Sequence, residues 1–363
     1  MEFIFKETIF MNKLFRFLIL SFCVFSMQNS FSQIGGDNTF EFLNLTNSAR
    51  ISSMGGNFLA IKDDDISLAL SNPSIITKEM DNHLLLSYVD YFADINSGFV
   101  SYSKTFKKYG SFVSTLQFLN YGKFTRADAA GQTYDEFTAS DYAFNIGWGR
   151  SLNPNFSIGS NLKFIYSAYD SYYASGLAVD VAGTYQSDNK QFVSSLIVKN
   201  IGRQLKAYNP ENVEPLPFEI QLGLSKKLDK APFRFSIVAT HLEKWDLTYE
   251  DPSVPEETID PLTGEKLPEK KLEKFGDKLM RHIVIGGEFI PSKNFSVRFG
   301  YNYQRRKELQ VESKVGMIGF SWGFGFKISK FRFNFGRASY HLGGATNHIS
   351  ITTNLSDFVG KKS

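Results

Sequence analysis

Residues able to do chemistry are present in this chain, but their spacing assembles no reaction centre. Five histidines, His83, His241, His282, His341 and His348, are scattered along the sequence, whereas a metal site draws its ligands from short, characteristic intervals. His241 and His282 are the pair that neighbouring strands can bring together, and they read better as rim histidines than as ligands. The run Asp63-Asp64-Asp65 offers carboxylates for calcium, yet the ligand spacing and closing glutamate of a calcium loop are absent. A solvated or salt-bridged turn is expected there. Gly319-Phe320-Ser321-Trp322-Gly323 places a serine between glycines, but its spacing follows strand alternation and forms no nucleophile elbow. Neither a phosphate loop nor a dinucleotide fingerprint occurs. The single cysteine, Cys23, falls in a segment read below as an export signal, so neither a disulfide framework nor a thiol catalyst is expected.

The elements that would position such residues are strands. From about residue 83 onward apolar and small or polar side chains alternate with period two, which sends them to opposite faces. Tyr142, Phe144, Ile146 and Trp148 oppose Ala143, Asn145, Gly147 and Gly149; Phe295, Val297, Phe299, Tyr301 and Tyr303 oppose Ser296, Arg298, Gly300 and Asn302; Ile318, Phe320, Trp322, Phe324 and Phe326 oppose Gly319, Ser321, Gly323 and Gly325. Fourteen such runs can be counted between 83 and 356, most of them longer than the roughly 5 or 6 residues of a soluble strand and close to the roughly 9 to 11 of a tilted membrane strand.

The connections divide by parity. Tight turns follow even-numbered runs (107–110, 151–154, 187–189, 229–231, 291–293 and Ser329), and longer polar loops follow odd ones (122–138, 168–174, 202–216, 245–280 and 305–315). Short turns on one side and long loops on the other are the pattern of outer-membrane barrels, whose short side is periplasmic. A bilayer offers no partners to free backbone groups, so the sheet must close and turn its apolar face outward. The 36 phenylalanines and 17 tyrosines, in a chain with a net charge of only +3 and a mean hydropathy of −0.20, then face lipid. That charge balance argues against nucleic acid. The fold expected is an all-β membrane protein, a 14-stranded antiparallel outer-membrane β-barrel with an N-terminal plug. Val179 should face lipid, and Ala178, facing the lumen, should tolerate serine.

Three regions follow. Residues 1–32 read as a signal peptide, with Lys13 and Arg16 before an apolar run and small residues near Ser32; Met11 serves equally well as the start. Residues 33–80 do not alternate, and their Phe40, Phe42, Leu43, Leu59 and Leu68 need burial, so they are expected to fill the lumen as a plug. Residues 81–358 form the barrel. The charges on its inner face, Lys163, Asp180, Glu219, Arg298 and Arg332, are expected to pair between wall and plug, because an unpaired buried charge is costly.

The stretch Gly36-Asp37-Asn38-Thr39-Phe40-Glu41-Phe42-Leu43-Asn44-Leu45, followed by Ser48-Ala49-Arg50 and Gly55-Gly56, resembles the N-terminus of the PorQ-type outer-membrane proteins of the Bacteroidota type IX secretion system. Asn72-Pro73-Ser74 is similar to the Asn-Pro-Ala hatch motif shared by PorV-type and FadL-type barrels, which also have fourteen strands. The segments 161–166 and 198–202 extend the likeness over essentially the whole mature chain. It departs at Thr46-Asn47, where a proline-containing turn is expected, and at Ser74, in place of alanine. The resemblance implies a multi-pass protein of the cell outer membrane that works in an attachment complex without enzymatic activity or cofactor. In that complex it would hold a PorZ-like surface protein beside a PorU-like transpeptidase and a PorV-like shuttle that attach exported cargo to lipopolysaccharide. The long loop 245–280, with Trp245, Tyr249, Pro255, Pro261 and Lys271, is the candidate partner-binding surface; its prolines limit the entropy lost on binding. A FadL-like transporter of hydrophobic compounds is the alternative, and a barrel-embedded hydrolase a third reading that finds no convincing serine, aspartate and histidine set.

Overall fold

The computed structural model describes residues 38–46, 48–248, 271–309, 316–341 and 344–359. The segment read as an export signal and its alternative start, together with Tyr249, Pro255 and Pro261, lie outside them. Fourteen antiparallel strands close on themselves, each paired with its sequence neighbours. They run β1 His83–Asp90, β2 Asn96–Phe106, β3 Gly110–Ala127, β4 Thr133–Ser151, β5 Phe156–Tyr169, β6 Tyr172–Gln186, β7 Phe192–Lys206, β8 Glu219–Lys227, β9 Phe233–Ala239, β10 Ile283–Ser292, β11 Phe295–Asn302, β12 Phe320–Ile328, β13 Phe331–His341 and β14 Gly344–Asn354. The seam is β1 against β14, in register from His83 opposite Asn354 to Asp90 opposite Asn347. No sheet edge is left for lipid to solvate.

Alternation sets the two faces. Phe144, Phe164, Leu222 and Phe299 are exposed on the outside, with Val179 half-exposed beside them. Aromatic side chains gather near both ends of the wall as cross-strand pairs. Phe156 meets Tyr185 at 5.0 Å, Phe233 meets Phe289 at 5.0 Å and Phe326 meets Phe333 at 5.3 Å at the short-turn end. At the other end Tyr301 meets Phe320 at 4.7 Å.

The hydrophobic core lies inside the barrel, between the plug and the inward side chains. Ile51, Met54, Phe58, Leu59, Leu68 and Ile75 pack against Ala182, Ile197, Val238 and Val284 of the wall. The lumen is therefore filled rather than water-lined. Ala178 is buried with Phe40, Phe42 and Leu43, so a serine there would bury a hydroxyl and is not the nearly neutral change expected from its lumen-facing position.

Three features of the connections differ from the sequence reading. β3 and β4 continue as a hairpin through most of 122–138, and β5 and β6 are joined by only two residues, 170 and 171, so two of the expected long loops are strand. The remaining long connections, 207–218, 240–282 and 303–319, all lie at one end. Helices occupy parts of the segments read as loops: α2 Lys271–Arg281 and α3 Tyr303–Leu309, in addition to a short plug helix, α1 Ala49–Ser52. Tyr303 thus belongs to a helix and not to β11. Ile318 is buried rather than lipid-facing, because Gly319 takes a positive φ of 87° that breaks the alternation just before β12 begins.

Candidate functional site

The plug is built from the motif residues. Phe40 adopts a left-handed conformation, φ 60°, ahead of the 3₁₀ turn Glu41–Asn44, and with Phe42 and Leu43 packs against Leu119, Ala143 and Ile165 of the wall. Ser48 caps α1 by accepting from the Ile51 amide, which leaves Ala49 against Gly336 of β13, where a Cβ would collide with the Ala49 backbone. Gly55 and Gly56 have φ of 98° and 93°, reached without strain only by glycine. Their turn is fixed to the wall: the Gly55 amide donates to Ser321 Oγ at 2.9 Å and its carbonyl accepts from Asn302 Nδ2 at 3.2 Å. The serine of the Gly-Phe-Ser-Trp-Gly segment is thus a plug anchor.

Asn72-Pro73 makes a second knot. Asn72 Nδ2 donates to Leu59 O at 2.6 Å and Thr184 Oγ1 at 3.2 Å, and its Oδ1 accepts from the Ser74 amide at 3.0 Å. Ser74, the departure from the alanine of the motif, adds a 2.6 Å contact to Thr184 Oγ1, which in turn meets Ser195 Oγ at 2.7 Å. The Pro73 carbonyl presses on Gly149 and Gly159, and a Cβ on Gly149 would stand 2.7 Å from that oxygen. Gly323 makes comparable room for Ser53, whereas Gly319 does not face the plug at all.

Arg50 is the centre of a buried ion cluster. It grips Glu288 of β10 with two nitrogens, at 3.0 and 3.2 Å, and meets Asp65 at 3.0 Å and Asp63 at 2.8 Å. Glu288 also receives Arg234 at 2.9 Å and Arg298 at 2.8 Å. Arg332 pairs with Asp64 at 3.1 Å. The acidic run is therefore a salt-bridged turn that joins plug to wall. Elsewhere in the lumen Lys163 meets Asp180 at 2.8 Å and Lys199 meets Glu219 at 3.3 Å. The wall-to-wall pairing of these two, and Glu288 as the hub, were not foreseen; a lone Glu between apolar neighbours was the only signal of the latter.

In the middle of the lumen little space remains open. A cavity between the plug and β2 to β5 and β7, bordered by Asn44, Ser48, Ile51, Phe99, Asn145 and Lys163, leaves about 40 Å³ for the centres of water-sized molecules, room for a few waters.

Beyond the outer wall, the long-loop face also carries exposed apolar side chains. Trp245 stacks on Phe275 of α2 at 5.5 Å and on His282 at 5.7 Å, and His282 Nε2 lies 3.0 Å from the Trp245 carbonyl. His241 instead pairs with Glu243 at 3.2 Å, so the two histidines do not form one site. Lys271 opens α2 and is exposed. Leu272, Phe275 and Leu279, at helical spacing, stay exposed, Leu272 at 84%. Asp277 fastens α2 to α3 through Tyr303 at 2.7 Å and Lys307 at 3.3 Å, and Lys278 pairs with Asp246. Burial alone would raise both carboxyls, but these hydrogen bonds and cations outweigh it, holding Asp277 below the ordinary carboxylate range and Asp246 at about 2. The leucine and phenylalanine spacing was visible in the sequence and was masked by the charge around it.

No family model matches the sequence, and no curated protein matches it. Among solved structures, the Ralstonia pickettii toluene transporter TbuX is similar with a TM-score of 0.51 at 10% identity, over 86% of this chain and 99% of that one. The Pseudomonas putida toluene transporter TodX (TM-score 0.48, 12% identity, 85% and 96% covered) and a Pseudomonas aeruginosa FadL homologue (0.46, 9%, 85% and 98%) also match. The fold is a closed fourteen-strand antiparallel β-barrel, shared with the toluene transporter TbuX.

Proposed function

We propose that this chain is a sealed, non-enzymatic barrel of the outer membrane that acts as a rigid platform for a surface partner. By the resemblance of its plug motif, the setting is a type IX secretion attachment complex, with a PorZ-like protein held beside PorU-like and PorV-like components that attach cargo to lipopolysaccharide. The observation that carries the reading is the plug itself: its two knots and the Arg50 cluster tie it to strands around the wall, which suits a platform better than a conduit. The exposed Trp245, Leu272, Phe275 and Leu279 surface is the proposed contact, since aromatic anchors dominate interfaces. The test is Leu272→Glu with Phe275→Glu, and separately deletion of 253–271, in cells. Loss of the surface partner from the purified complex, with cargo released to the medium and normal heat-modifiable mobility, is expected; retention of both refutes this contact.

A second reading, a transporter of hydrophobic compounds, has its support in the likeness of fold to a protein described as a toluene transporter. It predicts faster uptake of labelled toluene by cells bearing the barrel than by cells lacking it. The ties between plug and wall weigh against it, because a solute could cross only by breaking them.

A further inference from the structure

At the short-turn end the lumen widens into a vestibule of about 440 Å³, between the 63–65 turn of the plug and the ends of β8 to β13. That volume is in the range of ligand pockets. Its floor is balanced: Arg50, Arg234, Arg298 and Arg332 face Asp63, Asp64, Asp65 and Glu288. Its rim is not. Lys227, Lys293 and Lys327 border the opening and are exposed, with no carboxylate paired to them among the described residues. Lys227 and Lys327 continue the inward-facing sets of β8 and β12, so this charge belongs to the lumen mouth and not to the lipid face.

One donor in the floor is also unused. Asn334, 2% exposed, accepts from Arg298 Nη1 through its Oδ1 at 2.9 Å, while its Nδ2 reaches no acceptor among the described residues. A buried N–H without an acceptor is costly. Gly325 makes room for this pair, since a Cβ there would stand 2.5 Å from Asn334 Oδ1 and 3.0 Å from both terminal nitrogens of Arg298. With every carboxylate of the vestibule committed to arginine, the chemistry left over is cationic and hydrogen-bond donating.

We propose that the vestibule receives an acidic polypeptide segment from the short-turn side, one carboxylate seated against Asn334 Nδ2 and its neighbours spread over the lysine rim. A single extended chain can enter this opening behind the strand wall, where a two-tailed anionic lipid would have to leave the bilayer to enter. The inference is independent of the surface-platform reading, which concerns the opposite end.

The experiment uses the full chain in neutral-lipid nanodiscs with fluorescein-labelled hexaglutamate, read by anisotropy. Binding that weakens with salt is expected, with at least a tenfold loss in Lys227→Glu/Lys293→Glu/Lys327→Glu and in Asn334→Asp, which keeps the acceptor for Arg298. Lys226→Glu, on the outer face of the same strand end, should leave affinity unchanged, and all variants should keep heat-modifiable mobility. The proposal is overturned if hexalysine binds as well as hexaglutamate, if Lys226→Glu weakens binding as much as the triple variant, or if Asn334→Asp has no effect. Displacement of the peptide by millimolar inorganic phosphate, or by phosphatidylglycerol in the disc, assigns the site to a free anion or a headgroup and equally overturns it.

Discussion

Arg50→Ala and Arg332→Ala each remove one arginine from a plug-to-wall ion pair, and they should differ by orders of magnitude in effect. In the first, Asp65, 1% exposed, loses the cation at 3.0 Å and keeps local hydrogen bonds such as that from the Ser67 amide, with Arg332 as a more distant charge. Glu288 still holds Arg234 and Arg298, so the damage centres on one stranded buried carboxylate. Removing one partner of a buried pair costs about 3–5 kcal/mol, roughly two to four powers of ten in the ratio of docked to undocked plug. In the second, the side chains are 27% and 47% exposed, and a pair so open to solvent contributes about 0–1 kcal/mol. Planar-bilayer conductance provides the assay: few openings in the parent and in Arg332→Ala, frequent large openings in Arg50→Ala. Arg50→Lys should fall between them, because an ammonium cannot grip Glu288 with two nitrogens. Equal conductance in Arg50→Ala and Arg332→Ala would refute the burial argument, and large conductance in the parent would refute the sealed lumen.

Gly159→Ala should destabilise by about 1–3 kcal/mol through overpacking against the Pro73 backbone, whereas Gly183→Ala, whose Cβ meets nothing within 4 Å, should be near neutral in urea unfolding. Thr184→Val strips a hydroxyl from the Asn72–Ser74 knot and should cost about 1–3 kcal/mol; an unshifted midpoint would count against the knot. Phe299→Arg on the lipid face should cost about 2–4 kcal/mol near the midplane, checked by refolding into vesicles. The ties of Asp246 and Asp277 stabilise the α2 platform above the ordinary carboxylate pKa, near 4, and are lost as pH falls through about 2 for Asp246. With Trp148 and Trp322 replaced by phenylalanine, Trp245 fluorescence should hold steady from pH 7 to 5 and shift below 4; a transition centred near pH 6 would point to a histidine instead.

The barrel was legible because two solvents act on its wall at once. Lipid outside selects Phe144, Phe164 and Phe299, and a tightly fitting plug inside selects Gly149, Gly159 and Gly336, so the alternation is written strongly wherever both apply. Where the wall leaves the bilayer the contrast fades. Residues 122–138 read as loop, although Phe124 and Phe137 stack there at 5.1 Å across a continuing hairpin. Gly319 shows the converse limit: one positive φ reversed the parity of Ile318, and no period-two count can see a dihedral angle. The motif residues of the plug could be named but not assigned roles. Arg50 meets Glu288 across 238 positions, a separation at which local pattern carries no information, and α2 was hidden in a segment whose charge suggested loop.

The plug also dictates the order in which the molecule can be made. Residue 39 is hydrogen-bonded to Pro215 at the long-loop end, and the segment then descends the whole lumen before passing directly into β1, whose other neighbour, β14, ends the barrel. The wall can therefore seal only after its last strand has been delivered, and it must seal around a segment that arrived first. Bringing together ends so far apart in sequence is entropically slow. During that wait the apolar core of the plug has no other cover, which makes insertion a wrapping process with an early, vulnerable template and a single late step that hides it.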